Sequence, residues 1–280
     1  MTSITPSSCP MGLGRNSRSS RHCRKVQHLG RERARCSAPE MEGNKGHKLS
    51  GGAIGLQHND MSFIPIECGG SAMGFYSRHI LPHLINLTMG AGMLKKYRQR
   101  TVAKARGSVL ELGFGSGVNL PYYNPELIEK YYAVEPDGGL LKLAQKRINK
   151  APFKVEVLQM GAEQIILPDD SIDTVLSTWT LCTIPDIEAA LAQARRVLKP
   201  GGQLIFVEHG LAPETRVASW QQRLTPYWKR CAGGCHLDRQ TDVLLLNAGF
   251  VLQDLATGYL GRPKTMTFMY EGAAKPPAVG

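Results

Sequence analysis

Residues 109–117 read Val-Leu-Glu-Leu-Gly-Phe-Gly-Ser-Gly, an apolar run that gives way to three glycines at spacing two. The apolar part, 108–112, suits a buried parallel strand, because helices on both faces of such a sheet remove the need for polar alternation. Gly113, Gly115 and Gly117 then allow a tight turn whose backbone, lacking Cβ atoms, can come close to a ligand. A second apolar run, 131–134, ends in Glu135, which lies 22 residues after Gly113. A carboxylate at the tip of the neighbouring strand can accept from both hydroxyls of an unphosphorylated ribose. A strand, a glycine turn and an acid after the next strand together predict an α/β fold with a nucleoside cofactor at the strand tips.

The third glycine separates two cofactor classes. A dinucleotide turn follows Gly-x-Gly-x-x-Gly and sets a pyrophosphate on the next helix N-terminus. Here the third glycine comes one position early and Val118 stands in its place. Glu111, two residues before Gly113, would repel a pyrophosphate but suits the cationic sulfonium and ammonium of S-adenosylmethionine (SAM). SAM is therefore the expected cofactor. An NAD-dependent oxidoreductase is the alternative, and a glycine turn with no ligand is the bland reading of any such motif alone.

Beyond the turn, strands and helices alternate as in a doubly covered parallel sheet. Asp137 is expected to cap a helix that places Leu141, Ala144 and Ile148 on one side. A third strand is predicted at 154–158, a fourth at 173–177 and a fifth at 203–207, the last after the turn Lys-Pro-Gly-Gly at 199–202. Between the last two, Asp186 heads a helix with Ile187, Leu191, Ala194 and Leu198 on one face. The β-rich runs 250–258 and 265–271 are joined by only six residues, which predicts a hairpin and hence an antiparallel last strand.

The front of the chain differs. Residues 1–72 carry ten Lys/Arg against five Asp/Glu, no acid before Glu32 and hardly any large apolar residue before Ile54. Such a segment cannot bury enough surface to fold and is expected to be a disordered basic extension. Its composition fits an organellar transit peptide, an arm for nucleic acid or an anionic membrane, or leader upstream of a start at Met61 or Met73. A helical cap is expected over 73–107, with Phe75, Ile80, Leu81, Leu84, Ile85 and Leu87 near helical spacing around Pro82. That cap has three readings: a cover over the site, a membrane-surface contact, or core packing. At 280 residues and 42% hydrophobic content the chain can bury one sizeable core, and it has no apolar run of the ~18 residues a spanning helix needs. Seven cysteines, an odd number, with no apolar signal segment ahead of them, point to a reducing compartment. The cytoplasm is expected, or an organelle if the extension is a transit peptide.

Residues 73–280 resemble the class I SAM-dependent methyltransferases. The resemblance rests on 109–119, 173–182, the Arg-Val-Leu-Lys-Pro-Gly-Gly of 196–202 and the Phe-Val-Glu-His of 206–209. Within that superfamily the chain is most similar to the branch of ubiquinone and menaquinone methyltransferases, phosphatidylethanolamine N-methyltransferases and thiol methyltransferases. The last group shares the Thr-x-x-Leu-Cys tract, the Glu-His pair and a likeness to Gly-Cys-His-Leu-Asp-Arg at 234–239. The resemblance implies a Rossmann-like, mostly parallel sheet with an antiparallel last strand, and a domain over 108–280. It implies that the backbone of Gly113, Gly115 and Gly117 holds the methionine part of SAM, with Glu111 and Asn119 also among the cofactor-binding residues. Glu135 would take the ribose, Ala162 and Glu163 the adenine, and Thr178 the amino-acid end. Many relatives have Asp where this chain has Gly161, and Glu163 is the residue placed to substitute for it.

The acceptor is expected to be small and fairly apolar: a thiol, a quinone precursor or a phospholipid amine. Tyr76, His79 and Trp179 are candidates to line its site, each with a packing role as the plain alternative. Methyl transfer needs a base only if the nucleophile must shed a proton early, and Glu208 and His209, at the tip of the fifth strand, are the candidates. Trp220, Leu224 and Trp228 form a stripe suited to an acceptor tunnel or to the core. No metal is assigned: Cys182 sits in an apolar context, Cys23 and Cys36 lack the close pairing of a zinc finger, and Cys231, Cys235 and His236 are too few for a closed zinc site. The different-class alternative is a noncatalytic module that binds nucleic acid through its basic arm.

Overall fold

The computed structural model describes residues 74–277, so the expectations for 1–72 and the candidate starts at Met61 and Met73 lie outside the described residues. After a π-turn at Tyr76–Ile80 come α1 (Leu81–Met89) and α2 (Gly92–Thr101). Seven strands follow: β1 (Gly107–Leu112), β2 (Ile128–Val134), β3 (Glu156–Leu158), β4 (Ile172–Thr178), β5 (Leu198–His209), β6 (Val251–Tyr259) and β7 (Phe268–Lys275). The helices among them are α3 (Gly138–Ile148), α4 (Ile187–Val197), α5 (Thr215–Cys231), α6 (Thr241–Asn247) and the single turn α7 (Lys264–Thr267).

The strands form one sheet in the order β3-β2-β1-β4-β5-β7-β6. β1 pairs in parallel with β2 on one side and β4 on the other, so the direction of winding reverses between β1 and β4. Ligands bind at the carboxyl ends of strands where such a sheet reverses. β7 runs antiparallel to both β5 and β6, which makes the sheet mostly parallel with an antiparallel last strand, as the hairpin signal predicts. The connector is longer than the six residues expected: α7 occupies 264–267, β7 starts only at Phe268, and β7 inserts between β5 and β6. β5 also starts earlier than expected, because Leu198 already pairs with Ile172 and the Lys-Pro-Gly-Gly segment forms an irregularity within the strand.

Period-two alternation divides the core between the faces of the sheet. Leu110, Leu112, Val175, Leu204 and Phe206 pack with Leu191 and Ala194 of α4 and Leu245 of α6. Val109, Leu176 and Ile205 point the other way, onto Ala144 of α3 and Val102. Both predicted caps form: Asp137 accepts from Gly139 and Leu140 N–H at 2.6 and 3.1 Å, and Asp186 accepts from Ala189 N–H at 3.0 Å. Each satisfies donors that the first turn of its helix leaves free.

The cap is split by the proline, as expected, but Pro82 stands within the first turn of α1, where its missing N–H costs no hydrogen bond. The stripe at 220, 224 and 228 does not become core. Trp220 is 51% exposed, and the side chains α5 buries are Gln221 and Thr225. Gln221 is needed there because it accepts from Ala212 N–H at 2.8 Å and donates to the Gly210 carbonyl at 2.9 Å, satisfying backbone beyond the tip of β5. Among the described residues, no helix is long and apolar enough to cross a membrane.

Leu191, 1% exposed, and Leu87, 73% exposed, make a matched pair for testing this core. Leu191→Ala should cost about 2–5 kcal/mol by denaturant unfolding, whereas Leu87→Ala should stay within about 0.5 kcal/mol of wild type. Equal losses would mean that α4 is not docked as described.

Candidate active site

A cavity of about 390 Å³ opens at the point where the sheet reverses, between the loops after β1 and β4 and beneath α1. That volume lies within the ~300–1,000 Å³ of small-molecule sites. The glycine turn forms its floor. Gly113 has φ +65°, and a Cβ there would overlap the Thr180 side chain, so this position needs glycine for conformation and for space. Gly115, at φ +58°, faces the opening, where a Cβ would meet nothing closer than 3.9 Å. Gly117 packs on Phe114 and is not part of the lining.

Glu135 lies on the cavity wall at the end of β2 and is 6% exposed. It accepts from Gly115 N–H at 2.8 Å and from Asp137 N–H at 2.9 Å, which ties the glycine turn to the start of α3. Each carboxylate oxygen has two lone pairs, so one on each oxygen remains for a ligand. Burial raises its pKa, opposed by those two backbone donors. Ala162 and Glu163 line the cavity, and Glu163 occupies the space a side chain at Gly161 would need. Thr178 and Trp179 close the side formed by the loop after β4.

Trp179 is the strained member. It is a non-glycine residue at φ +53°, 9% exposed, with its N–H fixed to the Val207 carbonyl at 2.8 Å. The Arg98 guanidinium lies 4.7 Å from its ring centroid, and Tyr97 meets it edge-on. Such a backbone persists only where its surroundings over-determine it, and Trp179 lines the cavity while packing with Leu94, Val207 and Met269. The cap contributes Leu81, Ile85 and Met89, at spacing four along α1, as an apolar roof.

Behind this wall is a buried polar network that sequence reading missed in part. Glu111 is fully buried and does not line the cavity. It accepts from Asn119 at 2.8 Å, from Tyr123 at 2.6 Å and from the Tyr131 hydroxyl. Burial raises its pKa against those hydrogen bonds and the nearby Arg98. Asn119 also donates to the Thr178 hydroxyl at 2.9 Å and accepts from Arg98, which donates to the Met89 carbonyl at 2.9 Å as well. Glu111 is therefore placed to hold Asn119 and Thr178 rather than to touch a ligand. No spacing rule connects Arg98, Tyr123 and Tyr131 to Glu111; only the cationic character of α2 hinted at the first.

Four further candidates lie outside the lining. Glu208 is fully buried, accepting from the Ser177 hydroxyl at 2.8 Å and from Thr180 N–H at 3.0 Å, so it braces the loop after β4. His209 points its Nε2 at Cys235 Sγ, 3.0 Å away. Tyr76 donates to the Cys231 carbonyl at 2.8 Å, and His79 stacks on Phe75 on the exposed side of the cap. The reason is common to all four: adjacent positions on a strand or helix face different ways, so a residue near the site in sequence need not enter it.

The two cavity glycines separate packing from access. Gly113→Ala should lower folding stability by about 1–3 kcal/mol through strain and the Thr180 overlap. Gly115→Ala should lose less stability but most of its affinity for S-adenosylhomocysteine, measured by calorimetric titration beside unfolding curves. Reversed sensitivities would contradict the placement of the turn.

A family profile described as a methyltransferase domain matches residues 110–206. The chain is 35% identical to thiol S-methyltransferase TMT1B of Rattus norvegicus, over 48% of this chain and 56% of that protein. It is 29% identical to phosphatidylethanolamine N-methyltransferase of Cereibacter sphaeroides, over 46% of this chain and 66% of that one. It is 31% identical to the ubiquinone/menaquinone biosynthesis C-methyltransferase UbiE of Francisella tularensis subsp. novicida, over 45% and 53%. The chain thus spans about half to two thirds of the length of these relatives. Its fold is similar to that of a SAM-dependent methyltransferase from Thermotoga maritima, with TM-score 0.51, 21% identity, and 72% of this chain and 98% of that one covered. It is also similar to Haemonchus contortus phosphoethanolamine N-methyltransferase 2, with TM-score 0.55, 15% identity, and 74% and 61% covered. With its winding reversal, glycine turn and antiparallel last strand, the chain has the fold of the class I SAM-dependent methyltransferases, and the methyltransferase-domain match lies at its centre.

Proposed function

We propose that this chain transfers the methyl group of SAM to a small apolar acceptor, with an alkyl thiol first among the candidates. The observation that carries the reading is a single cavity lined by the open face of Gly115, the buried carboxylate of Glu135 and the apolar roof of α1. The lining suits a cationic nucleoside: its acids are Glu135, Asp137 and Glu163, and its one cation among the described residues is Arg98. Glu135 would receive the ribose hydroxyls on its remaining lone pairs. Ala162 and Glu163 would meet the adenine, with Glu163 filling in for the acid that relatives carry at the position of Gly161. Thr178 and Asn119 would meet the amino-acid end.

When bound, SAM supplies a sulfonium methyl that leaves by in-line displacement as positive charge is lost from sulfur. The protein's part is alignment and exclusion of water. Leu81, Ile85, Met89 and Trp179 supply the apolar surface for the acceptor, and Arg98 and Glu208 hold that surface in place from behind. Among the described residues, the lining includes no His, Cys or Lys, and its carboxylates are those assigned to the cofactor side, so an acidic nucleophile would enter already ionised. That favours a thiol, whose ordinary pKa of about 8.5 lies nearer neutrality than the ~10.4 of an alkyl ammonium, over an amine that must be stripped of a proton in the site. The named activity of the 35% identical rat relative supports the same order. Phe75, Leu84, Leu87 and Met93 remain exposed on the outer side of the cap, a surface fitted to the edge of a membrane that stores apolar acceptors.

Calorimetric titration of the full chain with S-adenosylhomocysteine should show tight binding that NADH does not compete with. Glu135→Ala should weaken that binding at least about tenfold, roughly 1.4 kcal/mol. A folded protein that binds NADH in its place would restore the oxidoreductase reading. Turnover with alkyl thiols should rise with pH through the pKa of the thiol used and move down in pH with a more acidic thiol. A profile that ignores the thiol's pKa would point to a protein base and against an acceptor that enters ionised.

A further inference from the structure

Cys182, His209 and Cys235 converge from three separate segments: the loop after β4, the last residue of β5 and the loop after α5. One donor atom from each lies within 4.8 Å of the other two. We infer that they form a binding site for a thiophilic divalent metal ion, with zinc the ion this donor set fits. Two sulfurs and one imidazole nitrogen are the ligand types of zinc. Around an ion with bonds of about 2.0–2.3 Å, tetrahedral donors stand about 3.5–3.8 Å apart. His209 Nε2 and Cys235 Sγ, at 3.0 Å, need part by only about 0.5 Å to admit it.

The backbone holds these segments together independently of any ion. His236 N–H donates to the Cys182 carbonyl at 2.8 Å, Leu211 N–H to the Arg239 carbonyl at 2.9 Å, and the Arg239 guanidinium to the Leu181 carbonyl. A site preorganised in this way does not have to order its own ligands when the ion arrives. Buried polar atoms supply the second observation. Four such side-chain atoms have no hydrogen-bond partner among the described residues, and three of them gather here: His209 Nδ1, Glu208 Oε2 and the Trp228 indole nitrogen beside Cys235. Of these, the Trp228 N–H faces Cys235, where it can donate to the thiolate that a metal ion would hold.

Charge fits as well. Two thiolates and a neutral imidazole cancel the charge of a divalent cation. Three protein ligands leave a fourth position for water or another small ligand. Trp179, Thr180 and Thr183 adjoin Cys182, and Ala232 and Gly233 precede Cys235, and all five line the cavity. The ion would therefore fasten the wall of the active site from behind. Sequence reading set this site aside because the local group at 231–236 is too small; the missing donors come from elsewhere in the chain.

The test is the metal content of the full chain, purified without chelator and measured by mass spectrometry, followed by cobalt(II) substitution. One zinc per chain is expected, with a thiolate-to-cobalt charge-transfer band in the cobalt form. Cys182→Ser and Cys235→Ser should each remove the metal, and Cys231→Ser, at an exposed cysteine, should keep it. Wild-type protein that takes up neither zinc nor cobalt overturns the inference and leaves a bare thiol–imidazole cluster. Metal that survives both substitutions is bound elsewhere and overturns it equally. The wild-type cobalt spectrum reports thiolate ligation by itself, so a variant that fails to fold does not spoil the test.

Discussion

The buried carboxylate of Glu111 is the point on which the site's architecture depends. A carboxylate with no exposure is costly to desolvate, and only a full set of donors makes it tolerable. Asn119, Tyr123 and Tyr131 provide that set. Two of these partners lie in the loop after β1, and Tyr131 lies on β2, so satisfying one charge fixes the path of the chain on both sides of the glycine turn. Asn119 extends the demand to Thr178 on β4 and to Arg98 on α2. Arg98 is itself buried enough for its pKa to fall to about 10, which leaves it charged at neutral pH.

Such a network adds little net stability, because the gain from pairing is spent on desolvation. Its value is geometric. Removing any member would strand a buried charge or donor, so the network accepts one arrangement of cap, turn and strand tip. Arg98 binds the Met89 carbonyl at the end of α1, and in that way the apolar roof is held to the polar floor. Trp179 keeps its left-handed backbone between that guanidinium and the β5 carbonyl of Val207. The strain of one residue is thus offset by a network several elements wide.

The loop after β4 is braced a second time. Glu208 accepts from Ser177 and Thr180, while Thr180 fills the space that makes Gly113 obligatory. The two sides of the reversal point therefore touch through a threonine side chain and a missing Cβ. The Cys182, His209 and Cys235 cluster stands directly behind the same loop. The site wall is built from side chains whose partners all lie on other elements, which is how a loop acquires the rigidity of the sheet beneath it.

What the sequence determined by itself was whatever depends on neighbours along the chain. The apolar runs of β1, β2, β4 and β5, the caps at Asp137 and Asp186, the glycine turn and the hairpin signal are local, because strand alternation, helix spacing and turn conformation all act over a few residues. Gly113, Gly115 and Glu135 were legible for the same reason, since a turn and a strand-end acid keep a fixed spacing. Only the tertiary structure decided which polar side chains face the cavity. Glu111 and Gly115 are four residues apart, yet one is sealed in a polar core and the other is open to the ligand space. Glu208 and His209 sit at a strand tip where sites are built, yet both turn away from the cavity. The partners that settle those orientations, Arg98, Tyr131 and Cys235, come from other segments of the chain. A buried charge or thiol is committed by the donors that reach it in space, and no local spacing records them.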